Sequence, residues 1–509
     1  MRSTTIRPWS RALLATSLLL SLVAALLAPA PAAATTKTTA AEAMDAYVDA
    51  FWDPEEKYFF TYSDHRGRGG VGPEGGTYSD FWWEARLWEV VMDAWETTGD
   101  PRYRAMIDDV YDGFTAHHPD FEVDFNDDLN WWAMGAARAY GITGDQRYLD
   151  TSVELFDRIW ADWDDTYGGG IWWRHSVQNQ KNVATNAPAA VTAVLLARHT
   201  GDQEYLGRAE QLFDWVDERL VEDDGTVHDH WEGTDTLVKW GFSYNYGTYV
   251  SAATKLYEET GEQEYLDKAL RSADWATTKL TNGGTFRGEG IGDGGGFKSL
   301  LIRALVDLVQ DHGQDQYLQQ LQDNANQAWN HRRTSDDLMG HDWSAPTSSG
   351  ALQSLAASSG LTAVLLVPPD GRPSGTLAES GVYEAENGQV INIDSEANGT
   401  GWTGRGYLAG WNRDGQQVTL HVNVERAGAH TLRFRYAGDD GTATRMVMLN
   451  SRVVDEALEF EGTGGWGNYA YRDLKVRLSR GHNSVQIRFD EASDNQAYMN
   501  LDRVEIVRG

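Results

Sequence analysis

The pattern of apolar and polar positions changes character along the chain. Arg2, Arg7 and Arg11 precede an apolar run from Ala12 to Leu27, and small residues follow, ending in Ala32, Ala33 and Ala34. A charged start, an apolar middle and a small-residue end form a secretory signal peptide pattern, so residues 1–34 are expected to be removed on export. Pro29 and Pro31 argue against a membrane anchor, and no later apolar stretch approaches spanning length.

From about Ala40 the apolar spacing becomes helical and repetitive. A Gly followed four residues later by Tyr recurs at Gly99/Tyr103, Gly144/Tyr148, Gly201/Tyr205, Gly261/Tyr265 and Gly313/Tyr317, the first four with Thr before the Gly and an acid after it. Gly accepts the left-handed conformation that ends one helix, and the acid complements the dipole of the next. The Tyr opens an amphipathic run, as in Tyr148, Leu149, Val153, Leu155, Phe156, Ile159 and Trp160. Second helices are predicted from about Arg102, Gln146, Glu204, Glu264 and Asp315, with an unpartnered helix from Ala40 to Trp52. Helices before the turns are predicted from about Trp82, Asp128, Pro188, Tyr246 and Phe297, with a last one near Gly350. The pre-turn set is the more apolar, as Ala189 to Ala197 shows, so it belongs inside. Twelve alternating helices predict an (α/α)6 barrel over residues 35–367. The other connections are long and aromatic, such as Asp53 to Phe81 and Asp164 to Asn186, and antiparallel succession gathers them at one end, where a cavity is expected.

Pro and Gly from Pro368 to Gly375 end the helical pattern and predict a linker at 368–380. Beyond it, Val418 to Val424, His430 to Tyr436 and Val485 to Phe489 alternate with period two between Gly and Asn/Asp turns, which predicts a β-sandwich over residues 381–509.

Charge and composition narrow the chemistry. The 509 residues carry 43 Lys+Arg against 76 Asp+Glu, a net charge of -33 that leaves no basic field for nucleic acid. Removing the signal segment takes away three arginines and no acid, so the mature chain, at -36, is more acidic still. With no Cys, disulfides, zinc-thiolate sites and thiol catalysis are excluded, and chemistry must rest on carboxylates, hydroxyls, His or a hard metal.

Aspartate pairs are frequent, and most read as turns or outer-helix surface. Asp127/Asp128 differ because they start the second inner helix within Phe125-Asn126-Asp127-Asp128-Leu129-Asn130-Trp131-Trp132. One reading is capping by Asn126 or Asp127. The other is that two carboxylates in an aromatic cavity share glycosidic bond cleavage, one ionised and one protonated. Both can hold at once. Trp82/Trp83, Trp131/Trp132 and Trp172/Trp173 lie near the cavity end. Neighbouring helical side chains diverge by about 100°, so one indole of each pair is expected in the core and the other toward a sugar ring. Asn182, Asn186, Tyr244, Asn245 and Tyr246 lie at inner-helix starts, where hydroxyl binding and loop pinning are equally open readings. His228-Asp229-His230 reads as a solvated loop, since three adjacent residues do not close a metal site. Gly292 to Gly296 lacks the Lys-Ser/Thr sequel of a phosphate loop.

Asn126-Asp127-Asp128 with Trp131-Trp132, then Gly169-Gly170-Ile171-Trp172-Trp173, Lys181-Asn182, Thr185-Asn186-Ala187-Pro188 and Tyr244-Asn245, resembles glycoside hydrolase family 76 over most of residues 40–367. The resemblance implies an endo-acting α-1,6-mannanase that retains anomeric configuration, with Asp127 as nucleophile and Asp128 as general acid/base. Tyr246 stands where that pattern has Gln, and Lys298-Ser299 where it has Lys-Gly. The C-terminal part resembles carbohydrate-binding modules of families 6 and 35, carried by Tyr383-Glu384-Ala385-Glu386 and Asn500-Leu501-Asp502. That likeness implies a structural calcium on Glu384, Glu386 and Asp502 and a sugar cleft formed by Tyr407, Trp466 and Asn500. The expectation is an exported monomer acting on α-mannan, without catalytic cofactor, nucleic-acid partner or membrane attachment. A mannan-directed transglycosylase and a non-catalytic glycan-binding protein on the same scaffold are the alternatives.

Overall fold

A computed structural model describes residues 37–367 and 381–508, apart from 71, 99, 405, 425–427, 451, 479–480 and 491–496. The expected signal segment and linker, and the first Gly turn at Gly99, lie outside the described residues. Among the described residues no helix is long and apolar enough to cross a membrane.

Among the described residues, twelve helices of thirteen or more residues build the first part: α1 (Lys37–Phe51), α2 (Phe81–Thr98), α3 (Pro101–His117), α4 (Asn126–Thr143), α5 (Gln146–Trp160), α6 (Val183–Thr200), α7 (Gln203–Leu220), α8 (Ser243–Thr260), α9 (Gln263–Lys279), α10 (Gly294–Gln310), α11 (Leu318–Asn330) and α12 (Ser354–Leu366). The even-numbered helices touch one another in sequence and α12 closes onto α2, giving a ring of six inner helices with the odd-numbered ones outside. This is an (α/α)6 barrel. Burial follows the predicted division: every residue of α12 from Ser354 to Leu365 is buried, whereas α5 buries one stripe headed by Tyr148 and Leu149.

The short turns behave as their composition predicts. Gly144, Gly201 and Gly261 have φ of 71°, 76° and 71°, the region that favours glycine. The Thr before each Gly donates to the carbonyl four residues back and accepts the N–H of the acid that follows, as Thr143 does with Ala139 and Asp145. Asp145 and Asp202 then cap α5 and α7 through their side chains.

Several inner helices start earlier than their apolar spacing suggests. α6 begins at Val183, five residues before Pro188, because the Asn182 carboxamide accepts the Thr185 N–H and supplies the cap. At the start of α10, Gly295 and Gly296 permit close packing on α12: a Cβ on either would lie 2.8 Å from Ala356 or Leu355.

Small antiparallel ribbons brace the long loops: β1 (Trp52–Asp53) with β2 (Tyr58–Phe59), a sheet ordered β3 (Gln180–Asn182), β4 (His230–Glu232), β5 (Thr236–Val238), and β6 (Thr281–Asn282) with β7 (Thr285–Phe286).

The second part is a β-sandwich. One sheet runs β10 (Asp394–Glu396), β11 (Tyr407–Ala409), β18 (Asn500–Arg508), β13 (Gly428–Ala437), β16 (Tyr469–Leu478), with β8 (Val382–Glu384) also on β18. The other runs β15 (Arg452–Phe460), β14 (Ala443–Leu449), β17 (Gly481–Arg488), β12 (Gln417–Val424), β9 (Gln389–Ile391). Alternate residues such as Val418, Leu420, Leu432, Phe434, Val485 and Ile487 fill its core. The five-stranded sheet faces the short-turn end of the barrel, opposite the long loops. A Cβ on Gly415 would lie 2.3 Å from the Trp95 ring, Arg488 donates to the Ile142 carbonyl at 3.4 Å, and a cavity of about 880 Å³ lies between the two parts.

Candidate active site

The segment that presents Asp127 and Asp128 is pinned before α4 begins. The Asn126 N–H donates to the Trp173 carbonyl at 2.8 Å, and Phe125 bridges Arg174 across the neighbouring loop. Asn126 turns its carboxamide away from the helix, donating to Asp162 at 2.8 Å and to the Trp172 carbonyl at 2.9 Å. The helix N-cap is Phe125, with no side-chain cap hydrogen bond. The N-cap is therefore neither Asn126 nor Asp127, which corrects the capping reading, although the Asp127 carboxylate still accepts the Asp128 N–H at the helix start.

The environments of Asp127 and Asp128 differ. Asp127 accepts the Trp173 indole N–H at 3.0 Å through one oxygen and the Asp128 N–H at 3.1 Å through the other. Burial raises the Asp127 carboxyl to about 7, against these two donors that favour its ionised form. Asp128 is pushed well above the usual carboxylate range, first by burial and then by the charges of Asp127, Asp80 and Asp293. Both side chains are densely surrounded yet only half-buried. The pair can thus hold one ionised and one protonated carboxyl, with Asp127 carrying the charge and Asp128 the proton.

Asp80 and Asp293 complete a group of four carboxylates drawn from the starts of α2, α4 and α10. Asp80 accepts the Phe81 N–H at 2.7 Å, and burial raises its carboxyl. Asp293 is exposed and accepts the Trp83 indole N–H at 2.9 Å. Neither was singled out from sequence. The signal was present, since an acid stands beside the start of each of these inner helices.

The expected aromatic residues divide. Trp173 reaches Asp127 and Trp83 reaches Asp293, so both indoles frame the cleft. Trp82 is half-buried, 6.3 Å from the Trp131 ring, and Arg86 lies under Trp131 at 5.2 Å. Trp132 is 0% exposed and stacks on Phe114 and Trp88 in the core, leaving no surface for a sugar. Trp172 is buried, donates to Asp164 and packs on the Lys181 ammonium, which makes it a loop brace.

The amide residues serve mainly as braces. Asn186 joins the Ile171 backbone to α6, and Asn245 holds the Val227 and Trp240 carbonyls. Tyr246 is 0% exposed and stacks on Trp275 of α9, away from the cleft, so its substitution for Gln alters outer packing. Tyr244 belongs to the cleft wall. Its hydroxyl donates to Asp229, whose other oxygen lies 2.5 Å from His230 Nδ1. His228, Asp229 and His230 are all buried, so the expectation of a solvated loop is corrected. Sequence spacing missed this because β4 folds the triplet under α8. Lys298, also buried, donates to the His341 carbonyl at 2.6 Å, and desolvation lowers its ammonium to about 7.

In the sandwich, Glu384 and Glu386 converge on Gly404, where a Cβ would collide with Glu386 Oε1, and Asp502 joins them through Thr403. Burial raises the Glu384 carboxyl, assisted by the charges of Glu386 and Asp502. Thr403 bonds Glu384 and Asp502, and Arg435 pairs with Asp502. As they stand, no group of three or more His, Cys, Asp or Glu among the described residues forms a metal-holding cluster. The oxygens of Glu384, Glu386 and Asp502 are of the kind a hard cation takes, with the Asp502 carboxylate already paired to Arg435. Trp466 is 42% exposed, whereas Asn500 is buried and Tyr407 is buried with its hydroxyl bonded to Asn398 at 2.6 Å.

Two adjacent carboxyls of unequal environment, framed by indoles at the open end of a double ring of helices, define a carbohydrate-cleaving barrel. The profile of glycosyl hydrolase family 76 matches residues 35–371, and the chain belongs to that family. It also carries a family 6 carbohydrate binding module, matched over residues 384–508. A mannan endo-1,6-alpha-mannosidase of Candida glabrata, DCW1, is 28% identical over 212 residues, 36% of this chain and 48% of that one. The mannan endo-1,6-alpha-mannosidase DFG5 of Saccharomyces cerevisiae is 29% identical over 231 residues, 40% of this chain and 48% of that one. The chain spans about half the length of these two curated relatives. The GH76A alpha-1,6-mannanase from Salegentibacter sp. HEL1_6 matches in structure with a TM-score of 0.60 at 29% identity, covering 65% of this chain and 98% of that one. An inactive variant of that enzyme, with two consecutive aspartates replaced by asparagine and alpha-1,6-mannotriose bound, matches with the same TM-score and coverage at 28% identity.

Proposed function

We propose that the protein is an exported, monomeric, endo-acting hydrolase of α-1,6-mannosidic bonds that works by double displacement with retention of configuration. The observation that carries this reading is the unequal pair: Asp127 with two donors favouring its charge, Asp128 with three acidic neighbours favouring its proton. The Asp127 carboxylate attacks the anomeric carbon while the Asp128 proton passes to the departing glycosidic oxygen, leaving a glycosyl ester on Asp127. Asp128, now ionised, takes a proton from water, whose oxygen displaces Asp127 and releases the sugar. The mannan assignment draws support from the relatives' mannan endo-1,6-alpha-mannosidase activity and from the mannotriose-bound Salegentibacter variant.

The sandwich is proposed to hold the enzyme on polysaccharide through the exposed Trp466, with Tyr407 and Asn500 shaping its cleft, and to take one calcium on Glu384, Glu386 and Asp502. Incubation of the purified protein with linear and branched mannans and glucans tests the assignment. Manno-oligosaccharides released from α-1,6-mannan are expected, and cleavage of glucans alone would overturn it. Asp127→Asn or Asp128→Asn should abolish release with unchanged circular dichroism. For the module, chelation should lower its melting temperature, and calcium should restore it.

A further inference from the structure

Trp240, in the loop between β5 and α8, is 59% exposed and was not singled out by its sequence context. A large exposed indole costs free energy unless something covers it, and this one is held in place. Its carbonyl accepts the Asn245 carboxamide at 3.1 Å. Its ring meets His230 at 5.6 Å and Phe242 at 6.5 Å, both edge to face, and more than half of the residue stays open to solvent. Phe242 in turn stacks on Tyr244 at 6.1 Å with the rings 15° apart, and Phe297 closes on Tyr244 at 4.6 Å. Burial pushes the Tyr244 phenol up, with the charge of Asp229 and its hydrogen bond adding to it. A line of aromatic rings thus runs from Phe297 at the start of α10 through Tyr244 and Phe242 at the start of α8 outward to Trp240, at the loop-rich end of the barrel that also carries the catalytic pair.

We propose that Trp240 is a distal sugar platform, on which a mannosyl ring of the polymer beyond the cleaved bond stacks. This rests on the mannanase reading above. The occupant follows from the surroundings. The ring is pre-organised, and its neighbours Lys239 and Glu222 form an ion pair at 2.8 Å, so the cation beside it is already paired. A neutral, hydroxylated ring with an apolar face matches such a surface, and a rigid indole loses little entropy in binding it.

The full-length protein, Trp240→Ala and Trp240→Phe should be compared on linear α-1,6-mannan and on α-1,6-manno-oligosaccharides of increasing length. Trp240→Ala should raise KM for the polymer about tenfold, equivalent to 1.4 kcal/mol, with kcat unchanged. The shortest cleaved oligosaccharide should show no change, and Trp240→Phe should fall between. Equal KM values at every length would overturn the platform, as would a loss of kcat on short and long substrates alike. If the unaltered protein cleaves only a different polysaccharide, the mannan assignment fails by itself. The same length series on that polymer then decides the platform by the same two outcomes.

Discussion

Replacing Trp173 by Phe removes one N–H from Asp127 and little else. The ring that packs 4.9 Å from Phe125 is retained in outline, while the 3.0 Å hydrogen bond to the carboxylate is lost. A hydrogen bond to a charged group contributes about 1.5–3 kcal/mol. At about 1.36 kcal/mol per unit, that is a rise of roughly one to two units in the Asp127 carboxyl. The direction is fixed by which form the donor favours: without the indole the ionised form is less stable, so Asp127 is protonated over a wider range. The acidic limb of kcat/KM against pH should therefore move to higher pH by that amount, and the basic limb, governed by Asp128, should move much less. The assay is the initial rate of reducing-end release from α-1,6-mannan at sub-saturating substrate across the pH range. An acidic limb that stays in place, with activity merely scaled down, would refute the assignment of the charge to Asp127.

Asp293→Asn keeps an acceptor for the Trp83 indole but deletes a negative charge that raises Asp128, so the basic limb of the same profile should shift to lower pH; an upward shift would contradict the four-carboxylate arrangement. Asp128→Asn should stabilise the fold at neutral and higher pH. A carboxyl raised in the folded state favours folding fully below its unfolded value near 3.8 and loses that contribution as pH rises through the folded value. Each unit of the raise corresponds to about 1.4 kcal/mol, so the melting-temperature gap between variant and parent should be absent near pH 3 and open toward pH 8. Gly415→Leu should lower the melting temperature, because a side chain at φ +79° is strained and would also enter the Trp95 ring at the contact between barrel and sandwich; an unchanged melting curve would contradict both.

The barrel was legible because its signals are local and repeated. The Thr-Gly-acid turn is satisfied within a few residues by its own hydrogen bonds, so it needs no distant partner to be recognised. Helix starts were less legible where the cap comes from an adjoining strand, as Asn182 does for α6, since the apolar period continues only after it. Asp127 and Asp128 stood out by context, but their separate roles depend on Trp173, Asp80 and Asp293, which come from other loops. Trp132 and Tyr246 show the limit of doublet and neighbour reasoning. Which of two adjacent aromatics faces the cleft depends on where the outer helix packs, and α3 and α9 cover these two. The burial of His228-Asp229-His230 depends on the pairing of β4 with β3 and β5, a contact between distant segments.

The anomeric form of the first product tests the proposed mechanism most directly. When α-1,6-mannan is cleaved in an NMR tube, the newly formed reducing ends should appear first as the α-anomer and only later equilibrate, and Asp127→Asn should release none. Initial appearance of the β-anomer, or undiminished release by Asp127→Asn, would contradict a covalent displacement at Asp127.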